Sequence, residues 1–472
     1  MKFLIFPVAA TIAAPIKSAW IKPFRALTQE SNAIRRLARA IGLATLAGAL
    51  AFSGLVSGAE APLTLPEAQR RAVERSHQIP AQDAAITASR EMAVAAGRLP
   101  DPVLKLGIDN LPINGPDQFS VQSESMTQRY IGVMQEFTRS EKRQLRAQRF
   151  EGEAEKSLAE KAAMIAAIQR DTALAWLDRY YSEALVAVIT QQAAAAKLEI
   201  VAAEGAYRAG RGSQADVFAA HSALAGFEDL ASEMGRRVRT AKTSLARWIG
   251  DGAEAPLADK PAIGSVRLDT AALDTELSHH PEISVLTRQE QIAVTEARLA
   301  QADKNADWSV EVSYAQRGSA YSNMVSVGVS IPLQWDQKNR QNRELASKLA
   351  LADQAKAKRE EALRAHINEV RTMIAEWENG HERLGRYERE IVPLARERTR
   401  AALAAYQGGK ANLTDLLLAR RNEIDVRMKA VGLEAEVARL WGQLNFLSPD
   451  SAAMTQASIP VPSTGNHAKE SK

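Results

Sequence analysis

The 472-residue chain contains no cysteine, which excludes disulfides, thiolate-held zinc or iron–sulfur clusters, a cysteine nucleophile and a thioether lipid anchor. With seven histidines, no methionine cluster and no nucleophile–base motif, no hydrolase triad, cofactor site or metal relay is visible. Aromatic residues are only 5% of the chain, although 46% is apolar. That is material for several domain-lengths of core, built largely from small aliphatic side chains.

Excess charge of one sign is also missing once the front of the chain is set aside. Residues 1–59 carry seven basic groups and one acid, whereas the remainder carries 53 basic and 55 acidic groups. So near-neutral a body offers no field for a nucleic acid. The basic cluster Arg35, Arg36, Arg39 precedes an apolar run from Ile41 to Val56 and then Ser57-Gly58-Ala59. That order reads as a secretory leader over residues 1–59, cleaved after Ala59. An N-terminal anchor is the alternative, but 16 apolar residues fall short of the roughly 20 that span a bilayer. No uncharged apolar run of that length follows, which still leaves β-strands as a way into a membrane.

What the chain does contain is an internal repeat with a period near 200 residues. Ser76-His77 recurs as Ser278-His279. Ile131-Gly132-Val133 through Phe137 recurs as Val327-Gly328-Val329 through Leu333, and a lysine follows each at the same distance, Lys142 and Lys338. Ala206-Tyr207 and Gly210 with Asp216 recur as Ala405-Tyr406 and Gly409 with Asp415, and each copy closes on a Trp-bearing segment. The copies span about 62–250 and 268–447, within a body of 60–450 followed by a flexible tail, 451–472.

Each copy reads as helix, strand pair, very long helix, turn and helix. Helix formers dominate Leu65–Leu99, interrupted near Ile79-Pro80. No proline occurs from Lys142 to Ala209, a helix of roughly 100 Å. The next helix, Gln214 to Ile249, is about half that length, so two short helices can stack beside one long one. The second copy repeats this with Thr270–Ala302, Gln337–Gln407 and Leu413–Leu447. Such long, Ala-rich helices predict coiled-coil-like packing.

Between the helices the period changes from 3.6 to 2. Trp308, Val310, Val312 and Tyr314 alternate with Ser309, Glu311 and Ser313, and Val325, Val327, Val329 and Ile331 alternate with Ser326, Gly328 and Ser330. Four strands are expected at about 102–111, 128–138, 307–317 and 324–333. Their apolar and polar faces suit a membrane barrel, although a half-buried hairpin on a soluble core has the same alternation. Since four strands cannot close a membrane barrel, insertion requires oligomerisation, and three copies supply twelve.

At the far end of the helices, Gly210-Arg211-Gly212 and Gly408-Gly409-Lys410 are turns in which glycine ends a helix, with Ser213 and Asn412 as N-caps and Asp216 and Asp415 in the first turn. The run His279-His280-Pro281-Glu282 has metal-ligand residue types, but a helix-entry role accounts for it and for His77 alike.

The repeat and its two Tyr-x-x-Gly turns resemble the outer-membrane efflux protein (TolC) family of trimeric channel-tunnels. The segment Leu99-Pro100-Asp101-Pro102 through Asp109-Asn110-Leu111-Pro112, with Met134-Gln135-Glu136-Phe137 and Lys142-Arg143, resembles the branch serving heavy-metal (cobalt–zinc–cadmium and copper–silver) exporters. The resemblance implies a mainly α fold with a membrane β-barrel part, a homotrimer with twelve strands and a periplasmic helical tunnel. It implies an outer-membrane location in a Gram-negative cell, a periplasmic adaptor and a proton-driven (RND-type) inner-membrane pump as partners, and no enzyme activity of its own. It also implies that Asp216 and Tyr406 help hold the tunnel tip closed and that Asp415 forms an acidic ring at the entrance, with the turn glycines Gly210, Gly212, Gly408 and Gly409 facing the adaptor. Ala411 and Leu418 depart from the family pattern, which puts a salt-bridge latch in doubt, unless Arg211 or Lys410 substitutes, and predicts one acidic ring rather than two. The alternatives are a multidrug or organic-solute channel of the same fold, or a periplasmic coiled-coil adaptor that never inserts.

Overall fold

The computed structural model describes residues 61–449; the leader expected at 1–59 and the tail expected at 451–472 lie outside them. Helices α1 (Leu65–Arg75) and α2 (Gln78–Ala96) lead to strands β1 (Val103–Asp109) and β2 (Gln128–Phe137), then to α3 (Ser140–Arg208) and α4 (Gln214–Ile249). The second copy runs through α5 (Leu273–Ser278), α6 (Pro281–Ala302), β3 (Trp308–Gln316), β4 (Met324–Ser330), α7 (Gln341–Arg386), α8 (Val392–Gln407) and α9 (Leu413–Asn445). The 69 residues of α3 make a rod of roughly 100 Å, and α1, α2, α4, α6 and α9 all pack along it.

Several boundaries differ from the sequence expectation, each through proline chemistry. The first break falls at Ser76-His77 rather than at Ile79-Pro80, because Pro80 sits in the first turn of α2, where a missing N–H costs no helical bond. Pro281 likewise opens α6, so the helix expected over Thr270–Ala302 is split at His279-His280. The second long helix starts at Gln341 and contains a π turn, Tyr387–Ile391, in which the Val392 N–H donates to the Tyr387 carbonyl. The widened turn immediately precedes Pro393, whose ring lacks an N–H and crowds the carbonyl four residues back.

The main core lies around the middle of α3. Trp176 is fully buried and donates its indole N–H to the Leu63 carbonyl at 3.1 Å, Arg179 donates to the Ala253 carbonyl at 2.6 Å, and Trp441 donates to the Ser265 carbonyl at 3.0 Å. Leu177, Leu245, Val370 and Leu444 fill the space between the helices. By length and composition α3 is the one described helix long and apolar enough to cross a membrane. Ile189, Ala196, Ile200 and Ala203 on it are buried, whereas Leu198 and Val201 are exposed.

The four strands form one antiparallel sheet in the order β1-β2-β3-β4. The register places Leu106 opposite Ile131, Ile131 opposite Tyr314, and Tyr314 opposite Val325, so the apolar residues of all four strands share one face. That face is open: Leu106, Val312 and Val327 are 67%, 48% and 70% exposed. The opposite face is the more sheltered one, with Gly132 and Ala315 buried and Lys105 reaching across Gly132 to Glu311. A hairpin on a soluble core would show the reverse. At the helical end, Phe137 stacks on Trp308 with ring centroids 4.6 Å apart.

His280, which opens α6, is buried, with Nε2 2.7 Å from the Leu447 carbonyl and the ring 4.4 Å from that of His366 on α7. Among the described residues no group of three or more potential metal ligands occurs. Burial, then the neighbouring His366 imidazole and Arg170, hold the His280 pKa below its ordinary 6.5, against the opposing effects of the Leu447 carbonyl and Glu282. The unfolded chain therefore takes up the proton first, and this group's contribution to stability, full above about 6.5, is lost as pH falls below that value. Melting temperature measured from pH 8 to 5 should fall, and His280→Gln should make the fall shallower.

Candidate functional site

The site is the end of the helical part farthest from the sheet, where two helix–turn–helix hairpins meet. In the first, the Arg211 N–H donates to the Ala206 carbonyl and the Gly210 N–H to the Tyr207 carbonyl; in the second, Lys410 donates to Ala405 and Gly409 to Tyr406, at 2.9–3.0 Å throughout. These are paired Schellman closures, and their left-handed residues are Gly210 (φ +71°) and Gly409 (φ +68°). Gly212 and Gly408 have no such requirement: Gly408 has φ −76°, and Ala411 and Ala209 occupy the matching places in the other copy.

Each following helix is capped. Ser213 and Asp216 form a reciprocal capping box, the Ser213 N–H and hydroxyl donating to Asp216 Oδ2 at 2.8 and 2.7 Å while the Asp216 N–H donates back to Ser213 Oγ. The Ser213 hydroxyl first, and then its N–H, hold the Asp216 carboxyl below the usual carboxylate range, against a small opposing effect of burial. Asn412 Oδ1 accepts from the Asp415 N–H at 2.8 Å, with no reciprocal bond, and Asp415 projects exposed.

A small core ties the hairpins together: Ile200 and Ala203 from α3, Ala220 from α4, and Leu413 and Leu416 from α9. Tyr406 packs at its margin, and its phenol is pushed up by burial and then by the nearby Asp216 carboxylate. Tyr406 of one hairpin thus lies within electrostatic reach of Asp216 of the other, and Asp415 is exposed. Arg211 and Lys410 are exposed at the turns, and among the described residues neither meets a carboxylate. Ala411 and Leu418 supply no charge, and Leu418 is exposed.

Above this core lies a buried polar layer that sequence reasoning missed. Arg420 of α9 bonds Glu199 of α3 at 2.8 Å, Glu423 is buried nearby, and Arg427 donates to Gln191 at 2.8 Å. Gln191, Arg420, Glu423 and Arg427, together with Arg396, line a groove of about 400 Å³. The Arg427 guanidinium is held below its ordinary pKa by burial and then by Arg396, partly offset by Glu423. Thr399 donates to either the Ala395 or the Ala419 carbonyl, the latter 3.2 Å away, and so can tie α8 to α9. The available signal was the spacing of Arg420, Glu423 and Arg427 on the face of α9 that carries Leu413 and Leu416.

Residues 272–448 match the family model described as outer membrane efflux protein. Among solved structures, the chain is similar to the outer-membrane channel OprN (TM-score 0.69, 17% identity, covering 82% of this chain and 90% of that one). It is similar to the outer membrane protein VceC of Vibrio cholerae (0.67, 18%, 81% and 95%) and to CusC, whose structures concern folding and transmembrane channel formation (0.71, 13%, 83% and 93%). No curated protein matches the sequence. The shared architecture is the mainly helical, long-helix fold with four antiparallel strands, and the family match covers the second copy of the repeat.

Two outcomes are expected at the turns. Gly210→Ala and Gly409→Ala should each cost about 1–2 kcal/mol, because an L side chain must adopt the left-handed conformation, and thermal unfolding reads this as a lower melting temperature. Asp216→Ala should likewise lower the melting temperature, since it removes the acceptor of the Ser213 N–H and hydroxyl.

Proposed function

We propose that this protein is a passive outer-membrane efflux channel, the outermost component of a tripartite system with a periplasmic adaptor and a proton-driven RND-type pump in the inner membrane. The observation that carries this reading is the sheet whose apolar face is its exposed face and whose two edge strands have no partner. Lipid is the solvent that such a face suits, and closure is the only state of a sheet edge that a bilayer tolerates. A twelve-stranded barrel from three copies provides both. The adaptor reading accounts for neither the open apolar face nor the family match.

In this assembly the helices form a tunnel into the periplasm and the turns at Gly210 and Gly409 its tip, available to an adaptor. Three copies of the exposed Asp415 would ring the entrance, favouring cations and disfavouring anions. That polarity and the sequence resemblance favour heavy-metal cations as the exported class; free energy comes from the pump.

Growth of a deletion strain and its complemented derivative on Co, Zn, Cd, Ni, Cu and Ag salts, beside organic antibiotics and detergents, tests the substrate class. Sensitivity to one or two metals is expected; sensitivity to organic compounds alone would replace the metal assignment with multidrug export. Recovery of the mature protein in the soluble periplasmic fraction would overturn the channel reading. Asp415→Ala should lower cation selectivity in planar bilayers, and an unchanged reversal potential would count against the ring.

A further inference from the structure

The two open edges of the sheet carry the pattern of a single seam, and its partner is a second copy of this chain. This rests on the channel reading and deepens it to named residues. The registers measured within the chain define how the copies correspond. Leu104 faces Val133 across β1 and β2, while Val310 faces Val329 across β3 and β4. The strand repeat aligns Val133 with Val329, so Leu104 corresponds to Val310. By the same steps Asp101 corresponds to Asp307 and Lys142 to Lys338.

The junction between the copies is the β2–β3 pairing. There Val133 faces Val312, Gln135 faces Val310 and Phe137 faces Trp308. Below it Lys142, 4% exposed, places Nζ 2.9 Å from Asp307 and 3.4 Å from Asp303, and the Arg139 N–H donates to the other Asp307 oxygen at 3.0 Å. The backbone N–H of Arg139 and the Lys142 ammonium hold the Asp307 carboxyl below its usual range, although burial acts to raise it.

The corresponding members of the other junction have no such partners. Asp101 and Lys338 are both exposed and unpaired among the described residues, each at the foot of an edge strand. We infer that β4 of one protomer pairs antiparallel with β1 of the next in the register Val327–Ile108, Val329–Leu106 and Ile331–Leu104, locked at its base by a Lys338–Asp101 ion pair between protomers.

Three independent features agree with this register. Every pair on the lipid-facing side is aliphatic, and all six residues are now 48–70% exposed. On the other face Gly328 falls opposite Gly107, over which the Tyr130 ring already lies, so nothing collides at the crossing. The charges meet with opposite signs at the helical end, where the intact junction has its own lysine and aspartate.

The cysteine-free sequence allows a clean test on the full chain in outer membranes. Ile108→Cys with Val327→Cys should give disulfide-linked trimers on oxidation. Ile108→Cys with Val325→Cys, displaced along the same face, should link at least several-fold less, since the diagonal neighbour is about 7–8 Å away. Asp101→Lys and Lys338→Asp should each lower the temperature at which the trimer dissociates in detergent, and the double exchange should restore it. A trimer that links best at Ile108–Val325, or that the double exchange fails to restore, overturns the seam and leaves the channel reading intact. A chain that remains monomeric overturns both.

Discussion

A β-sheet whose exposed face is its apolar face sets the terms for the rest of this molecule. In water, Leu104, Leu106, Val325, Val327 and Val329 would leave a continuous greasy surface beside two unpaired strand edges, a combination that soluble proteins avoid. The chain does not cover that face with its own helices, which instead bury Trp176, Leu245 and Val437 among themselves. The solvent for the sheet and the partner for its edges both have to come from outside the chain.

The duplication is what makes that arrangement economical. Each copy contributes one hairpin to the sheet and one helix–turn–helix to the opposite end, and α3 in the first copy and α7 with α8 in the second span the distance between them. At the sheet end the copies are joined by Lys142 and Asp307, and at the tip by the Ile200, Leu413 and Leu416 core with the Glu199–Arg420 pair above it. Buried ion pairs add little net stability over apolar packing, but removing one partner costs about 3–5 kcal/mol. They are therefore better seen as fixing how the two copies sit together. The tip itself is held by a small apolar core, two glycine turns and two caps.

Much of this was legible in the sequence, because the governing patterns are local. Strict alternation from Trp308 to Tyr314 announces a strand with two unlike faces, and Ser213 or Asn412 three residues before an aspartate announces a capped helix. The recurrence of lysine at Lys142 and Lys338 pointed to a shared position, though not to a buried one. The break expected near Ile79-Pro80 falls earlier, because Pro80 lies in the first turn of its helix, and the helices expected to run unbroken through Pro281 and Pro393 are interrupted there by a new helix start and a π turn. What stayed hidden depends on distant partners. Nothing near His280 reveals that the His366 ring packs against it, and nothing near Glu199 reveals Arg420, 221 residues later.

The most direct test of the account is a cysteine and spin-label scan of residues 324–331 in reconstituted liposomes, read by accessibility to oxygen and to a water-soluble nickel chelate. The account predicts a period of two, with Val325, Val327, Val329 and Ile331 accessible to oxygen and shielded from the chelate, and the intervening positions the reverse. Chelate accessibility on both faces, or no alternation at all, would contradict it.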